Sequence, residues 1–150
     1  MRSHIARLVG ALGLGILGVL ALRRSLLIVE VTGHSMEPAH RSGARLLALR
    51  GAQPRRGDVI LIRHPDAASR PRGASDYLVK RMAALPGDPV PRAVVPTVGT
   101  GVVPPGSCVV LGDNPDSADS RTWGFVRRST VVGRVLCELR GHGPEASSYR

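Results

Sequence analysis

Lysine is almost missing from this chain: Lys80 is the single one, and every other basic residue among the 21 Lys and Arg is arginine. Aromatic residues are scarce at 3%, with one Trp, one Phe and two Tyr. That scarcity removes the stacking platforms that hold single-stranded nucleic acid, although a formal net charge of +10 would draw phosphates. An anionic membrane surface suits the same charge without needing aromatics. Cysteine is limited to Cys108 and Cys137, far apart in "GSCVVLG" and "RVLCEL". This argues against a disulfide framework or a metal site and reads as two small core residues, with a pairing between them left open. No amphipathic helical stripe of useful length follows the N-terminal segment, and there is no internal repeat. A helical bundle and a solenoid are thereby set aside.

What the sequence does contain begins with an apolar run. Residues 8 to 22, "LVGALGLGILGVLAL", carry no charge. As a helix they reach about 22 Å, against a hydrocarbon core of about 30 Å. Extending back to Ile5 brings in Arg7, whose long stem can snorkel toward headgroups, and makes a short or tilted single span feasible. A cleaved leader is the competing reading, but the run ends in Arg23 and Arg24 with no small-x-small pattern, which favours an uncleaved anchor. Arginines flank the run on both sides, so the charge rule does not orient it.

Past residue 25 the pattern changes to short β-rich segments punctuated by Gly, Pro and Asp. The expected strands are 26–31, 45–49, 58–63, 77–82, 108–112 and 130–139, with turn signals at 57–58, 71–75, 86–89 and 104–106. The expected organisation is a membrane anchor (1–25), one mainly β domain (26–139) with mixed or antiparallel pairing, and a frayed tail (140–150). A domain of this size buries enough surface for a core without staples.

The first expected strand runs into "TGHSMEP", 32 to 38. A serine after a strand end and before a turn-forming proline can present a hydroxyl and a backbone N–H together, although a G-x-S is more often an ordinary turn than a nucleophile. Serine also needs a base before it can attack an amide. The five histidines form no arrangement suited to that task. Lys80 differs chemically from the arginines because an ammonium can lose its proton when desolvated, whereas a guanidinium stays charged. In a strand Lys80 shares its face with Leu78 and Met82, while Val79 and Arg81 point the other way. An unperturbed lysine of pKa about 10.4 is neutral about one time in a thousand near pH 7.5, so an apolar face is what a base would need. Taken alone, a half-buried lysine more commonly snorkels to solvent.

A third stretch, "GDNPDSADSRTWGF" at 112 to 125, is dense enough in Gly, Asp, Asn and Ser to be a decorated turn. Taken in order after an anchor, "GHSMEP", "YLVKRMAALPGD" and this stretch resemble the type I signal peptidases, membrane-bound serine proteases with a Ser-Lys dyad, over roughly residues 8 to 138. The resemblance implies a compact mixed β-sheet catalytic domain of the signal-peptidase and LexA-like kind behind one short transmembrane helix. It also implies no cofactor and no metal. It makes Ser35 the nucleophile, with its backbone N–H in the oxyanion hole, and Lys80 the general base. It further makes Ser117 the hydroxyl that orients the lysine and Asp119 with Arg121 an ion pair bracing the loop. Asp113 with Arg81 would be a second brace.

There are departures from the family pattern. Gly33 stands where some members place an oxyanion-stabilising hydroxyl, which leaves one donor to be replaced. His40 follows Pro38-Ala39 where the family usually has a leucine. Two residues, Pro115 and Asp116, separate Asn114 from Ser117 where three are usual, which would tend to displace Ser117. The short spacing from Gly87 to Gly112 makes this a minimal catalytic core.

By the same resemblance the substrate is an exported precursor that pairs as an added strand near the membrane surface, with Val29, Val31, Met36 and Val79 walling its pockets and the catalytic domain outside the cytoplasm. Membrane lipid is the other expected partner, and nucleic acid is not one. Other readings stay open: a maturation protease dedicated to one precursor, such as a metalloenzyme or leader-bearing peptide, and an inactive membrane-anchored binding module. A DNA-associated self-cleaving repressor of the LexA type is disfavoured because no DNA-reading helix is evident.

Overall fold

The computed structural model describes residues 18, 23–64 and 76–139. The expected anchor run, apart from Gly18, most of the polar loop after Arg63 and the tail from 140 onward lie outside the described residues. Among the described residues no helix is long and apolar enough to cross a membrane.

The β-branched and leucine-rich segments form strands close to where their composition placed them. They are β1 (Leu26–Glu30), β2 (Arg45–Arg50), β3 (Val59–Arg63), β4 (Tyr77–Ala84), β5 (Ser107–Leu111), β6 (Val126–Arg127) and β7 (Val131–Leu139). They make one sheet in the order β1-β2-β7-β3-β4-β5-β6, and each pairing is antiparallel. The protein is thus mainly β. Helical structure is limited to single turns at Arg92–Val94, α1 (Val95–Val98), α2 (Ser120–Trp123) and Arg128–Thr130, in keeping with the lack of a helical stripe.

Both faces of the central strands are covered. On β3, Leu61 enters one core cluster with Val31, Met36, Leu46, Ala48 and Val79. Its neighbours Ile60 and Ile62 enter another with Met82, Cys108, Val110 and Val126. Strict alternation along a strand sends neighbours to opposite faces, so a sheet buried on both sides must curl around its own layers. Irregular register at Leu47/Ala48, Leu61/Ile62 and Met82/Ala84 supplies that curl, because an extra residue on one strand bends it and steepens its twist. A third cluster of Ala84, Val94, Val103 and Val109 closes the far end. Each fully buried Val, Leu, Ile or Met contributes about 1.5–3 kcal/mol relative to exposure, so this double packing is what holds β3 and β4 in place under the site.

Cys108 is a core residue, and burial pushes its thiol up to about 11 against a weaker opposite pull from Arg128. Cys137, expected in the core, is exposed and free, as Cys108 is free. It lies near the end of β7, where the strand has passed the β2 irregularity and Leu136, Cys137 and Glu138 are all exposed. The apolar sequence "RVLCEL" therefore reads as buried although its sheet edge is not.

Candidate active site

The segment carrying Ser35 is held by its ends and by one side chain. Val31 N–H donates to Ala44 O at 2.8 Å and Gly43 N–H donates back to Val31 O at 2.8 Å, pinching the loop where it leaves β1 and enters β2. Inside it, Glu37 N–H bonds His34 O at 3.1 Å and His40 N–H bonds Met36 O at 2.8 Å. Met36 has no exposed surface and packs with Val31, Leu61 and Val79. Burial of Met36 leaves its neighbour Ser35 at the lip of the core, half-buried. Gly33 has φ of 85°, a backbone state that favours glycine, and its N–H bonds Ser42 Oγ at 3.2 Å.

Lys80 enters from the middle of β4 and is 3% exposed. Its Nζ donates to Ser117 Oγ at 2.6 Å. Trp123 stands 5.8 Å from Nζ, ring face toward the ammonium, and His64 packs on the same indole at 5.9 Å between centroids. With Leu78 and Met82 on the lysine's own strand face, water is kept away. Burial lowers the Lys80 pKa from 10.5; the Asp119 charge pulls it back up and the Arg121 charge pushes it down. Among the described residues no carboxylate comes within ion-pairing distance of Nζ.

The loop after β5 arranges its charges in closed pairs. Arg81, on the opposite face of β4 from Lys80, makes a forked contact with Asp113, Nε to Oδ1 at 2.7 Å and Nη2 to Oδ2 at 2.6 Å. Arg121 does the same to Asp119, at 3.0 and 2.6 Å. Asp119 is fully buried and caps α2 by accepting from Arg121 N–H at 2.9 Å, while its other oxygen accepts from Gly112 N–H at 2.7 Å. Burial alone would raise the Asp119 pKa, but hydrogen bonds from the Arg121 side chain and from the Gly112 and Arg121 backbones outweigh it and hold the group below 3.8. The loop, two residues long between Asn114 and Ser117, nevertheless brings the Ser117 hydroxyl to Lys80.

Gly112 sits at the tightest point. A Cβ there would lie 2.3 Å from Ser117 Oγ and 2.5 Å from Ser35 O, so the serine segment and the third motif meet on either side of one glycine. Asn114 stitches the same junction, its N–H to Ser35 O at 3.1 Å and its Nδ2 to His34 O at 3.1 Å.

Ser35, Lys80, Ser117, Asp119, Arg121, Asp113 and Arg81 thus converge on one region. Of the residues expected to wall a substrate pocket, Val31 (2% exposed), Met36 (0%) and Val79 (7%) lie in the core, and Val29 is partly buried against them. His40 turns toward β7, its Nδ1 2.7 Å from Glu138 Oε2. Gly112, Asn114, Trp123 and Glu138 are the site neighbours the sequence reading did not assign. Gly112, Asn114 and Trp123 had a signal, as members of the third motif; Glu138 had none. Among the described residues no group of three or more His, Cys, Asp or Glu is placed to hold a metal ion.

Comparison with known proteins gives the same direction. A signal peptidase I of Leptolyngbya laminosa is 30% identical over 152 residues, covering 82% of this chain and 74% of that protein. The mitochondrial ATP-independent inner membrane protease subunit 1b of Arabidopsis thaliana is 36% identical over 114 residues, 69% of this chain and 64% of its own length. A probable signal peptidase I-2 of Synechocystis sp. is 30% identical over 130 residues, 71% of this chain and 59% of its own. The description "Signal peptidase, peptidase S26" matches residues 1–94 and 91–139. With that match across nearly the whole sequence, the chain belongs to the peptidase S26 family of signal peptidases.

Proposed function

We propose that the protein is a serine endopeptidase that removes N-terminal signal or leader peptides from exported precursors, with Ser35 as nucleophile and Lys80 as general base. The observation that carries this reading is the setting of Lys80: buried, with a lowered pKa, and hydrogen-bonded to a serine hydroxyl rather than paired with a carboxylate. A lysine so placed is available in its neutral form at lower pH than a solvated one.

The chemistry follows from that state. The neutral Nζ takes the Ser35 Oγ proton as Oγ bonds the scissile carbonyl carbon, and the carbonyl π electrons move to oxygen. When the oxyanion collapses, the C–N bond breaks and the leaving amine takes the proton from the Lys80 ammonium. Water then repeats the sequence on the acyl-enzyme, giving its proton to Lys80 and releasing Ser35. Ser117 fixes the Nζ position, and docking of substrate brings Ser35 Oγ within hydrogen-bond reach of Nζ. The Ser35 N–H faces the oxyanion. In this reading residues 1–25 anchor the catalytic domain (26–139) to a lipid bilayer with the site outside the cytoplasm. A precursor strand lies near the membrane surface beside the Ser35 segment, and pocket walls from Val29, Val31, Met36 and Val79 are reached through movement of the loop that Met36 pins.

Purified protein is expected to convert a precursor ending its leader in Ala-x-Ala to the mature chain. Ser35→Ala and Lys80→Arg are each expected to abolish conversion. Lys80→Arg is the sharper variant because it keeps the charge and removes the base; full activity there would overturn the dyad. Intact precursor with wild-type protein, where a control peptidase cleaves it, would overturn the function.

A further inference from the structure

We infer that Asn114 is a positioning residue that aims the Ser35 N–H at the oxyanion, so that a single backbone donor performs a task elsewhere shared with a side chain. The inference rests on the Ser35–Lys80 reading above and adds what directs its donor.

Asn114 uses every polar group it has at this junction. Its side-chain Nδ2 donates to His34 O at 3.1 Å, and its backbone N–H donates to Ser35 O at 3.1 Å. Its Oδ1 accepts from Asp116 N–H at 2.9 Å, which identifies Nδ2 as the end facing His34. Its own carbonyl accepts from Arg121 Nη2 at 2.8 Å, and Arg121 is locked to the buried Asp119. The two peptide planes on either side of the Ser35 Cα are therefore both held by one residue that is itself held by an ion pair.

Peptide geometry turns this clamp into an aiming device. Among the described residues the only cis peptide is Glu37–Pro38, so the His34–Ser35 unit is trans. In a planar trans unit the C=O and the following N–H point in opposite directions. Holding His34 O against Asn114 therefore directs the Ser35 N–H away from the third motif, and among the described residues that N–H has no acceptor. Gly33 contributes no side-chain donor, and its φ of 85° disfavours a residue that would. With a lone donor, rotation of this one peptide plane removes the stabilisation altogether.

The test compares Asn114→Asp and Asn114→Ala with wild type in the full chain. Asn114→Asp keeps the shape and the Oδ1 acceptor but sets oxygen against His34 O; Asn114→Ala removes the arm without adding charge and keeps the backbone bond to Ser35. Three quantities are read: kcat and KM on a precursor peptide, the affinity of a peptide boronate that mimics the tetrahedral intermediate, and the affinity of the same peptide with a reduced, uncleavable bond. Both variants are expected to lose about a hundredfold in kcat with KM little changed. Boronate affinity is expected to fall in parallel while binding of the reduced-bond peptide holds. Wild-type kcat in both variants, or equal losses for boronate and reduced-bond peptide, would overturn the inference. Cleavage retained in Ser35→Ala would instead remove the reading beneath it, and the two failures are distinguishable because Ser35→Ala is assayed in parallel.

Discussion

Replacing Gly112 with alanine adds one methyl group at the point where three parts of the site touch. The new Cβ would lie 2.3 Å from Ser117 Oγ, 2.5 Å from Ser117 Cβ and 2.5 Å from Ser35 O. Ordinary contacts begin near 3.5 Å, so these neighbours must retreat by about 1 Å. Only Ser117 Oγ can rotate aside, at the cost of its bond to Lys80; the Ser117 Cβ is fixed to its backbone and Ser35 O is backbone. Overpacking of this kind costs about 1–3 kcal/mol, which in a domain of this size lowers the melting temperature by about 5–15 °C. The same retreat moves the Lys80–Ser117 hydrogen bond or the Ser35 peptide, and a displacement of about 1 Å in a catalytic group costs roughly a hundredfold in rate. The assay is kcat/KM on a precursor peptide, corrected for folded fraction, beside a melting curve. Gly133→Ala is the control: its Cβ would meet Leu49 O at 2.4 Å, a comparable clash between β7 and β2 that touches neither Ser35 nor Ser117. Gly133→Ala is expected to lose stability with little loss of rate per folded molecule, and Gly112→Ala to lose both. Equal rates in the two variants would refute the argument that Gly112 sets the geometry of the site.

Lys80→Met is expected to raise stability near neutral pH, because folding no longer desolvates an ammonium. Burial depresses the folded-state pKa below 10.5, so the unfolded chain binds more protons between the two values and wild-type stability rises with pH through that window; the advantage of Lys80→Met, read by denaturant unfolding, shrinks across the same window. Arg121→Gln removes the charge that pushes the Lys80 pKa down and frees Asp119 to raise it, so the acid limb of the kcat/KM profile moves to higher pH, whereas Arg121→Lys leaves it nearly in place. Arg121→Gln also strands a fully buried carboxylate, at about 3–5 kcal/mol of stability by chemical denaturation. Trp123, the single tryptophan, faces the Lys80 ammonium, so its emission is expected to change with pH at a midpoint below 10.5 that is absent in Lys80→Met; a wild-type profile in that variant would assign the change to another group.

The strands were legible because they are runs rich in β-branched and leucine residues set between turn-forming segments, and β1 through β5 and β7 begin and end within two residues of the expected bounds. The curl was not, since register shifts at Leu47/Ala48 and Met82/Ala84 leave the residue pattern unchanged while altering which residues oppose each other. The two-residue β6 is too short to carry any period. In the site, Lys80 could be read for its apolar face and its uniqueness, and the third motif for its residue types. The role of Asn114 could not be read, because its partners are backbone carbonyls, which every residue possesses. Met36 was expected as a pocket wall by resemblance to the family, and the sequence does not reveal that its side chain lies in the core with Val31, Leu61 and Val79.

Permanent charge and titratable charge are divided between residue types in this site, with Lys80 between two arginines that are each closed on a carboxylate. Arg81 and Arg121 each meet a carboxylate through a fork, a geometry that fits guanidinium and not ammonium. Both pairs are therefore closed, and their carboxylates are prevented from serving as counter-ions to Lys80. Were Asp119 unpaired, its charge would raise the Lys80 pKa unopposed; paired, it is partly offset by the Arg121 charge acting in the opposite direction. A lysine at Arg121 would keep the charge but lose the fork that holds the Asn114 carbonyl, and an arginine at position 80 could never give up its proton. Within the site, arginine and lysine thus meet two different physical requirements, rigidity where charge must stay and burial where it must be able to leave.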